Sequence, residues 1–292
     1  SGAMAYIATL ALNGITYAGL LFVVASGLSL VYGLMRVINM AHGSLYILGA
    51  CLGYLIYKAL GDNWIVAFFS AGVLLLIICF LLQLVVYDRA FNKPTLGVLV
   101  SLGISWIAID ICTNLTRGET KSFNPDGIFR STFRIGALTY PVSRLVVLGV
   151  AVVEAVVLVI ILKKTKIGQI IRAGVDDRDI VSALGINLHR VFLGVFAASG
   201  FLVGIAGVLG GTLSGFSVVD AGDMQMYALM VIIIGGSGNI FGTAIAALII
   251  GLLNSFTMAF VPNFSTVIVF MFIMIVLVVK PQGLFGREAR KS

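Results

Sequence analysis

The sequence predicts an all-α integral membrane protein, a polytopic helical bundle of about eight to nine spans with broken or re-entrant helices. The first observation behind this is compositional: of 292 residues, 60% are hydrophobic and only 11% charged, against about 25% charged in a soluble domain. Too few polar side chains are present to cover a water-facing surface, and lipid contact removes that requirement. The mean hydropathy, +1.12, agrees. The second is the length of the apolar runs, which suits helices of about twenty residues and not barrel strands that alternate over about ten. A helix also satisfies its own backbone inside hydrocarbon. The third is glycine, 34 residues of it, placed both as a helical stripe and as a cluster between apolar pieces.

Taking the elements in order, stretches of low charge predict helices over residues 5–34, 37–60, 64–87, 96–116, 141–162 and 191–213. The first is long enough to contain a break. Then come 225–234, a glycine-rich interruption, 240–260 and 264–279. The piece 225–234 is too short to cross alone, at about 1.5 Å rise per residue. The whole chain, 1–292, reads as one transmembrane domain with a cytoplasmic loop at 163–190. The opening Ser1-Gly2-Ala3 before Met4 reads as a cloning remnant, and no small-residue cleavage pattern follows.

Orientation follows from Lys and Arg, which the cytoplasmic side retains in excess. Lys163, Lys164, Lys166, Arg172, Arg178 and Arg190 place the loop inside, and Lys280, Arg287, Arg290 and Lys291 place the tail there too. Arg89 and Lys93 then fall inside, and the polar stretch from Arg117 to Arg144 falls outside despite its own basic residues. That stretch conflicts with the charge rule, softened by Glu119 and Asp126. The net charge of +7 is dispersed over loops, which suits anionic headgroups and not nucleic acid.

The glycines carry two messages. Gly200, Gly204, Gly207 and Gly211 advance by four, three and four, so they form one stripe of a helix, where two backbones approach closely. Gly235-Gly236-Ser237-Gly238, followed by Asn239, predicts non-helical backbone, either a break lining a transport path or a turn at headgroup level. No Lys-Ser or Lys-Thr follows at P-loop spacing. A weaker echo links Asn39-Met40-Ala41-His42-Gly43-Ser44 to Gly238-Asn239-Ile240-Phe241-Gly242-Thr243, each introducing an apolar helix, as related transporter halves would.

Several polar groups lie in or beside apolar runs. Arg36, Asn39 and His42 recur every third residue, so a helix would show them on one face, toward a path or a helix pair. Metal ligation is not indicated, since the other histidine, His189, lies in a distant loop. Asp110 and Glu154 are carboxylates within apolar runs and are expected to avoid lipid, by interhelical hydrogen bonding, by a position near the outer interface, or as proton-coupling groups. Cys51, Cys79 and Cys112 read as small buried hydrophobes.

The most specific segment is Thr165–Asn187, TKIGQIIRAGVDDRDIVSALGIN. Asp176 or Asp177 can cap a short helix with the body Arg178–Leu184, and Gly185 can end it in the left-handed conformation. Ile180 and Leu184 lie four apart and share a face, suited to a groove on another protein. Acidic residues at its start disfavour an anionic lipid surface.

With this segment, SGLSLVYGLMRVINMAHGSLYILGA (26–50), GGSGNIFGTAIAALIIGLLN (235–254) and KPQGLFG (280–286), the chain resembles the inner-membrane permeases of branched-chain amino acid ABC importers, specifically the first of the paired permeases. The resemblance implies a bacterial or archaeal cytoplasmic membrane location. It also implies that Asp176, Asp177, Asp179, Ile180, Leu184 and Gly185 dock on an ATPase. A second permease, two ATP-binding subunits carrying ATP and Mg, and a periplasmic or extracellular binding protein are implied as partners, with no cofactor or catalysis on this chain. Branched-chain or related amino acids are the expected cargo; urea, short amides or small aromatic acids are the alternative. A secondary carrier working from Asp110 or Glu154, or a passive channel, stands as the competing class.

Overall fold

Helix α1 (Gly2–Met35) is apolar all round, and a helix of that kind belongs inside a core. Leu20, Leu21, Val23, Val24, Ala25 and Leu28 are at most 1% exposed. The computed structural model describes residues 2–286. Arg287, Arg290 and Lys291, assigned inside from the sequence, lie outside the described residues. At 34 residues α1 is about 51 Å long and runs without the break its length suggested. Its glycines are held by neighbours: a Cβ on Gly27 would meet Ser199 and one on Gly33 would meet Gly238.

Around it follow α2 (His42–Ala59), α3 (Trp64–Leu82), a π-helical turn at Gln83–Tyr87 running into α4 (Asp88–Ala90), and α5 (Pro94–Thr116). Then come α6 (Val142–Lys164), α7 (Lys166–Asp176), α8 (Arg178–Ala183), α9 (Leu188–Leu213), α10 (Asp220–Gly235), α11 (Ile240–Phe260) and α12 (Ser265–Val279). Helix α1 packs chiefly on α11, α9, α6 and α10, and α2 sits between α9, α3, α10 and α5.

Seven helices among the described residues are long and apolar enough to cross a membrane. Helices α2 and α10, of 18 and 16 residues, pack among these and against each other. The expected core of α10, 225–234, is extended backward to Asp220, where Asp220 and Asp223 lie in the first turn, favourable for a helix dipole.

The two ends are defined by contacts. At one, Arg36 reaches Val175, His189 reaches Asp88, and Leu284 bonds Ile234. At the other, Arg144 reaches Asn13, Lys121 pairs with Phe216, and Trp64 bonds Thr212. The loop 163–190 and the stretch 117–141 therefore occupy opposite ends, as the orientation argument requires.

The stretch 117–141 is the polar connection expected from the sequence, and it carries local structure of its own. It holds a 3-10 turn (Gly127–Arg130) and an antiparallel hairpin of β1 (Thr132–Ile135) and β2 (Leu138–Pro141). Tyr140 anchors the hairpin, its hydroxyl bonding Thr16 at 2.7 Å. Lys121 donates to Glu119 at 2.5 Å and holds that carboxyl below the usual carboxylate range. Phe123 fills an aromatic cluster with Tyr54, Tyr57 and Phe216, at centroid distances of 5.7, 5.3 and 6.1 Å.

The glycine stripe of α9 is buried, and it meets several partners in succession. A Cβ on Gly200 or Gly204 would strike carbonyls of α3, Leu75 and Ala71; on Gly207, the carbonyl of Tyr46 in α2; on Gly211, the Phe123 ring. Close approach of backbones is what small residues allow between membrane helices.

Candidate functional site

Between α1 and α2 the helix predicted over 37–60 is absent until His42. Arg36 has φ +55°, which ends α1, and residues 36–41 are not regular. Arg36, Asn39 and His42 therefore do not share a helical face. Arg36 is exposed and donates to the Val175 carbonyl at 3.4 Å, whereas Asn39 and His42 are each 2% exposed. The His42 Nε2–H donates to the carbonyl of Val24 at 2.7 Å. Val24 lies eleven residues before Met35, so α2 begins about 16 Å in from the end of α1.

Irregular backbone at that depth needs protein partners. Asn39 Oδ1 accepts from the Ala41 amide at 3.0 Å and from the Tyr87 hydroxyl at 3.2 Å. Gln225 of α10 donates to the Asn39 carbonyl at 3.2 Å and accepts from the Gly43 amide at 2.8 Å. Ser101 accepts from the Met40 amide at 3.0 Å. Gln225, Tyr87 and Ser101 were not singled out from the sequence. A glutamine five residues into an apolar helix was the available signal.

The glycine cluster forms a turn between α10 and α11. Gly236 and Gly238 adopt φ +84° and +74°, conformations glycine reaches without a Cβ penalty. Asn239 Oδ1 caps α11 by accepting from Gly242 at 3.0 Å. The Gly238 amide bonds Ser29 of α1, carbonyl at 3.0 Å and hydroxyl at 3.1 Å. Gly235 packs on Gly242, so this turn joins α1, α7, α10 and α11 at the end that carries loop 163–190. The deeper irregular backbone is at 36–41. The echo between the two asparagine segments has a spatial counterpart: Gly43 abuts Ala221 at the start of α10, and Gly242 abuts Gly235 at its end.

Within the loop, Thr165 caps α7, accepting from Gly168 at 3.0 Å. Asp177 caps α8, accepting from the amides of Asp179 at 2.9 Å and Ile180 at 3.2 Å, and Gly185 has φ +81°. Val181 turns inward at 1% exposure, while Ile180 and Leu184 stand out at 59% and 73%. Arg178 donates to the Met35 carbonyl at 3.2 Å, so the short helix is tied to the end of α1.

Of the two membrane carboxylates, Glu154 is buried and accepts from Ser26 at 2.7 Å across the α1–α6 contact. Asp110 differs from Glu154 in its surroundings. It is exposed on α5, along a stripe with Trp106, because α5 buries only its side toward α2. Cys51 and Cys112, far apart in sequence, lie on α2 and α5, helices that pack on each other. Both are buried, as is Cys79.

A helical bundle that passes repeatedly between two polar ends, with irregular backbone beside a capped and outward-facing short helix, is a multi-pass membrane protein in architecture. Residues 10–279 match the family model described as the permease component of branched-chain amino acid transport systems, and the chain belongs to that family. It is 28% identical to the high-affinity branched-chain amino acid transport system permease protein LivH of Escherichia coli K12, over 94% of each chain. It is 23% identical to BraD of Pseudomonas aeruginosa, a permease protein of the same description, again over 94% of each. The ribose import permease protein RbsC of Haemophilus influenzae is 31% identical over 54% of each chain. No solved structure matches.

Proposed function

We propose that this chain is one permease subunit of an ATP-driven importer for branched-chain or related amino acids, set in a bacterial or archaeal cytoplasmic membrane. It forms the translocation path with a second, homologous permease. Two ATP-binding subunits serve the permease pair, one docking on α8 of this chain, and a periplasmic or extracellular binding protein delivers substrate. The observation that carries this is the α8 helix: capped by Asp177, tied through Arg178 to α1, and presenting Ile180 and Leu184 outward, exposed among the described residues. Apolar side chains held outward on a rigid mount suit a protein groove. The exposed Asp110 supports the second permease, since a carboxylate on a lipid-facing stripe is costly and a partner subunit would cover it.

In this reading Arg36, Asn39, His42 and the turn Gly235, Gly236, Gly238 and Asn239 act as a gate region at the inner end. The likeness to a ribose permease over half the chain supports selection by the binding protein, with the same membrane scaffold serving different cargo. The test is reconstitution of this chain with the second permease, the ATPases and the binding protein. Uptake should require ATP and ignore a proton ionophore. Uptake by this chain alone, collapsed by the ionophore, would replace the importer with a carrier.

A further inference from the structure

Helix α5 is held to this chain along one side. Gly97, Ser101, Ala108, Cys112 and Thr116 are buried, and α2 is its chief neighbour. Ser101 accepts from the Met40 amide, and Ser105 bonds Ser44. At 3.6 residues per turn the opposite side carries Leu99, Gly103, Trp106, Asp110 and Asn114, all exposed. A Cβ on Gly103 would meet nothing within 4 Å, so this stripe has a notch between Leu99 and Trp106.

Lipid contact does not account for the stripe. Asp110 lies about 9 Å in from Thr116, the outer end of α5. Its side chain has a single methylene and cannot reach the headgroups as a long lysine or arginine does. Among the described residues the carboxylate has no hydrogen-bond or ion-pair partner; Asn114 donates only to the Asp110 main-chain carbonyl, at 2.9 Å. Helix α6 supplies the contrast. There Gly149, Val153, Val156 and Ile160 form an exposed stripe that is apolar throughout, again with an open glycine. Length decides the kind of partner: Leu99 to Asn114 is about 22 Å along the axis, most of the hydrocarbon thickness of about 30 Å. A soluble protein at either end cannot cover it, so the partner spans the membrane.

We propose that the Leu99–Asn114 face of α5 is the surface on which the second permease packs. A helix of that partner seats in the Gly103 notch, where its backbone approaches closely, against Trp106 as an aromatic anchor. It brings a hydrogen-bond donor to the level of Asp110, which lipid tails do not possess. This rests on the importer reading for the existence of the second permease.

The test uses the complete assembly, with this chain tagged and the second permease followed through purification in mild detergent. Gly103→Trp meets open space in this chain, so its own thermal unfolding should stay near wild type, yet it fills the notch. Retention of the second permease should fall at least about tenfold. Gly149→Trp, the same change at the open glycine of α6, should leave retention unchanged. Asp110→Leu should lower retention, and Asp110→Asn, which keeps an oxygen acceptor, should lower it less. Trp106→Cys, labelled with a benzophenone maleimide while the native cysteines are buried, should photo-cross-link to the second permease without any need to disrupt assembly. Equal retention in Gly103→Trp and Gly149→Trp overturns the proposal, as does an adduct formed only with lipid or with a second copy of this chain. ATP-dependent uptake by the wild-type assembly is measured in parallel. Its absence, with no second permease retained, rejects the importer and this surface together, whereas normal uptake with equal retention in the two variants rejects only this surface.

Discussion

Gly49 of α2 faces Gly204 of α9 so closely that a Cβ added to Gly49 would stand 2.7 Å from the Gly204 Cα. The same face of α9 meets Ala71 of α3, whose carbonyl would lie 2.5 Å from a Cβ on Gly204. Leucine at Gly204 or Gly207 should therefore separate α9 from both neighbours and cost about 1–3 kcal/mol or more through overpacking. Gly194, earlier in α9 with nothing within 4 Å of its Cβ position, should accept alanine without loss. Thermal denaturation in detergent checks the contrast. Equal stability of the Gly204→Leu and Gly194→Ala variants would mean the stripe is not an interface.

Ser26 and Glu154 give a second contrast. Removing the hydroxyl with Ser26→Ala leaves a buried carboxyl without its donor and should cost about 1–3 kcal/mol. Glu154→Gln preserves an acceptor for Ser26 and should leave ATP-driven uptake near wild type. Uptake abolished by Glu154→Gln in an assembly that still hydrolyses ATP would point to a proton-handling role instead.

At α8, Leu184→Asp should place a charge where an apolar contact is expected, an effect of about 2–5 kcal/mol on docking. Because Leu184 is 73% exposed in this chain, the fold itself should be unaffected. The permease should insert at normal level and lose its ATPase during purification. Normal transport by this variant would leave Asp176, Asp177, Asp179, Ile180, Leu184 and Gly185 without the coupling role proposed for them.

Phe123→Ala empties the aromatic cluster at the outer end and should cost about 3–5 kcal/mol, as for other buried phenylalanines. The Phe123 amide also donates to the Gly211 carbonyl at 3.1 Å, so the effect should concentrate in residues 117–141. Limited proteolysis from the outer side should cut this stretch faster in the variant. An unchanged cleavage rate would show the hairpin to be held by Tyr140 and Thr16 alone.

Much of this architecture is legible in the sequence because apolar length and capping chemistry act locally. The residues over 240–260 carry no charged side chain and α11 has those bounds, and Asp177 caps α8 as an aspartate before a helix should. What was not legible depended on distant partners. Arg36, a non-glycine residue, adopts positive φ where its side chain reaches Val175, and the irregular stretch after it survives through Gln225, 186 residues from Asn39. The π-turn at Gln83 leaves no compositional mark, and Asp110 looks like any interior acid until α5 is seen to bury only one side. The hairpin 132–141 is too short to register against so many helices.

Helix α10 meets main chain at both ends: Gly43 at Ala221 and Gly242 at Gly235. Side chains can change rotamer and absorb a shift of an ångström, but two backbones in contact cannot. Sixteen residues pinned in this way form a strut about 24 Å long with no slack at either joint. A displacement of the inner turn would then reach Gln225, and with it the start of α2, undiminished and along a single axis.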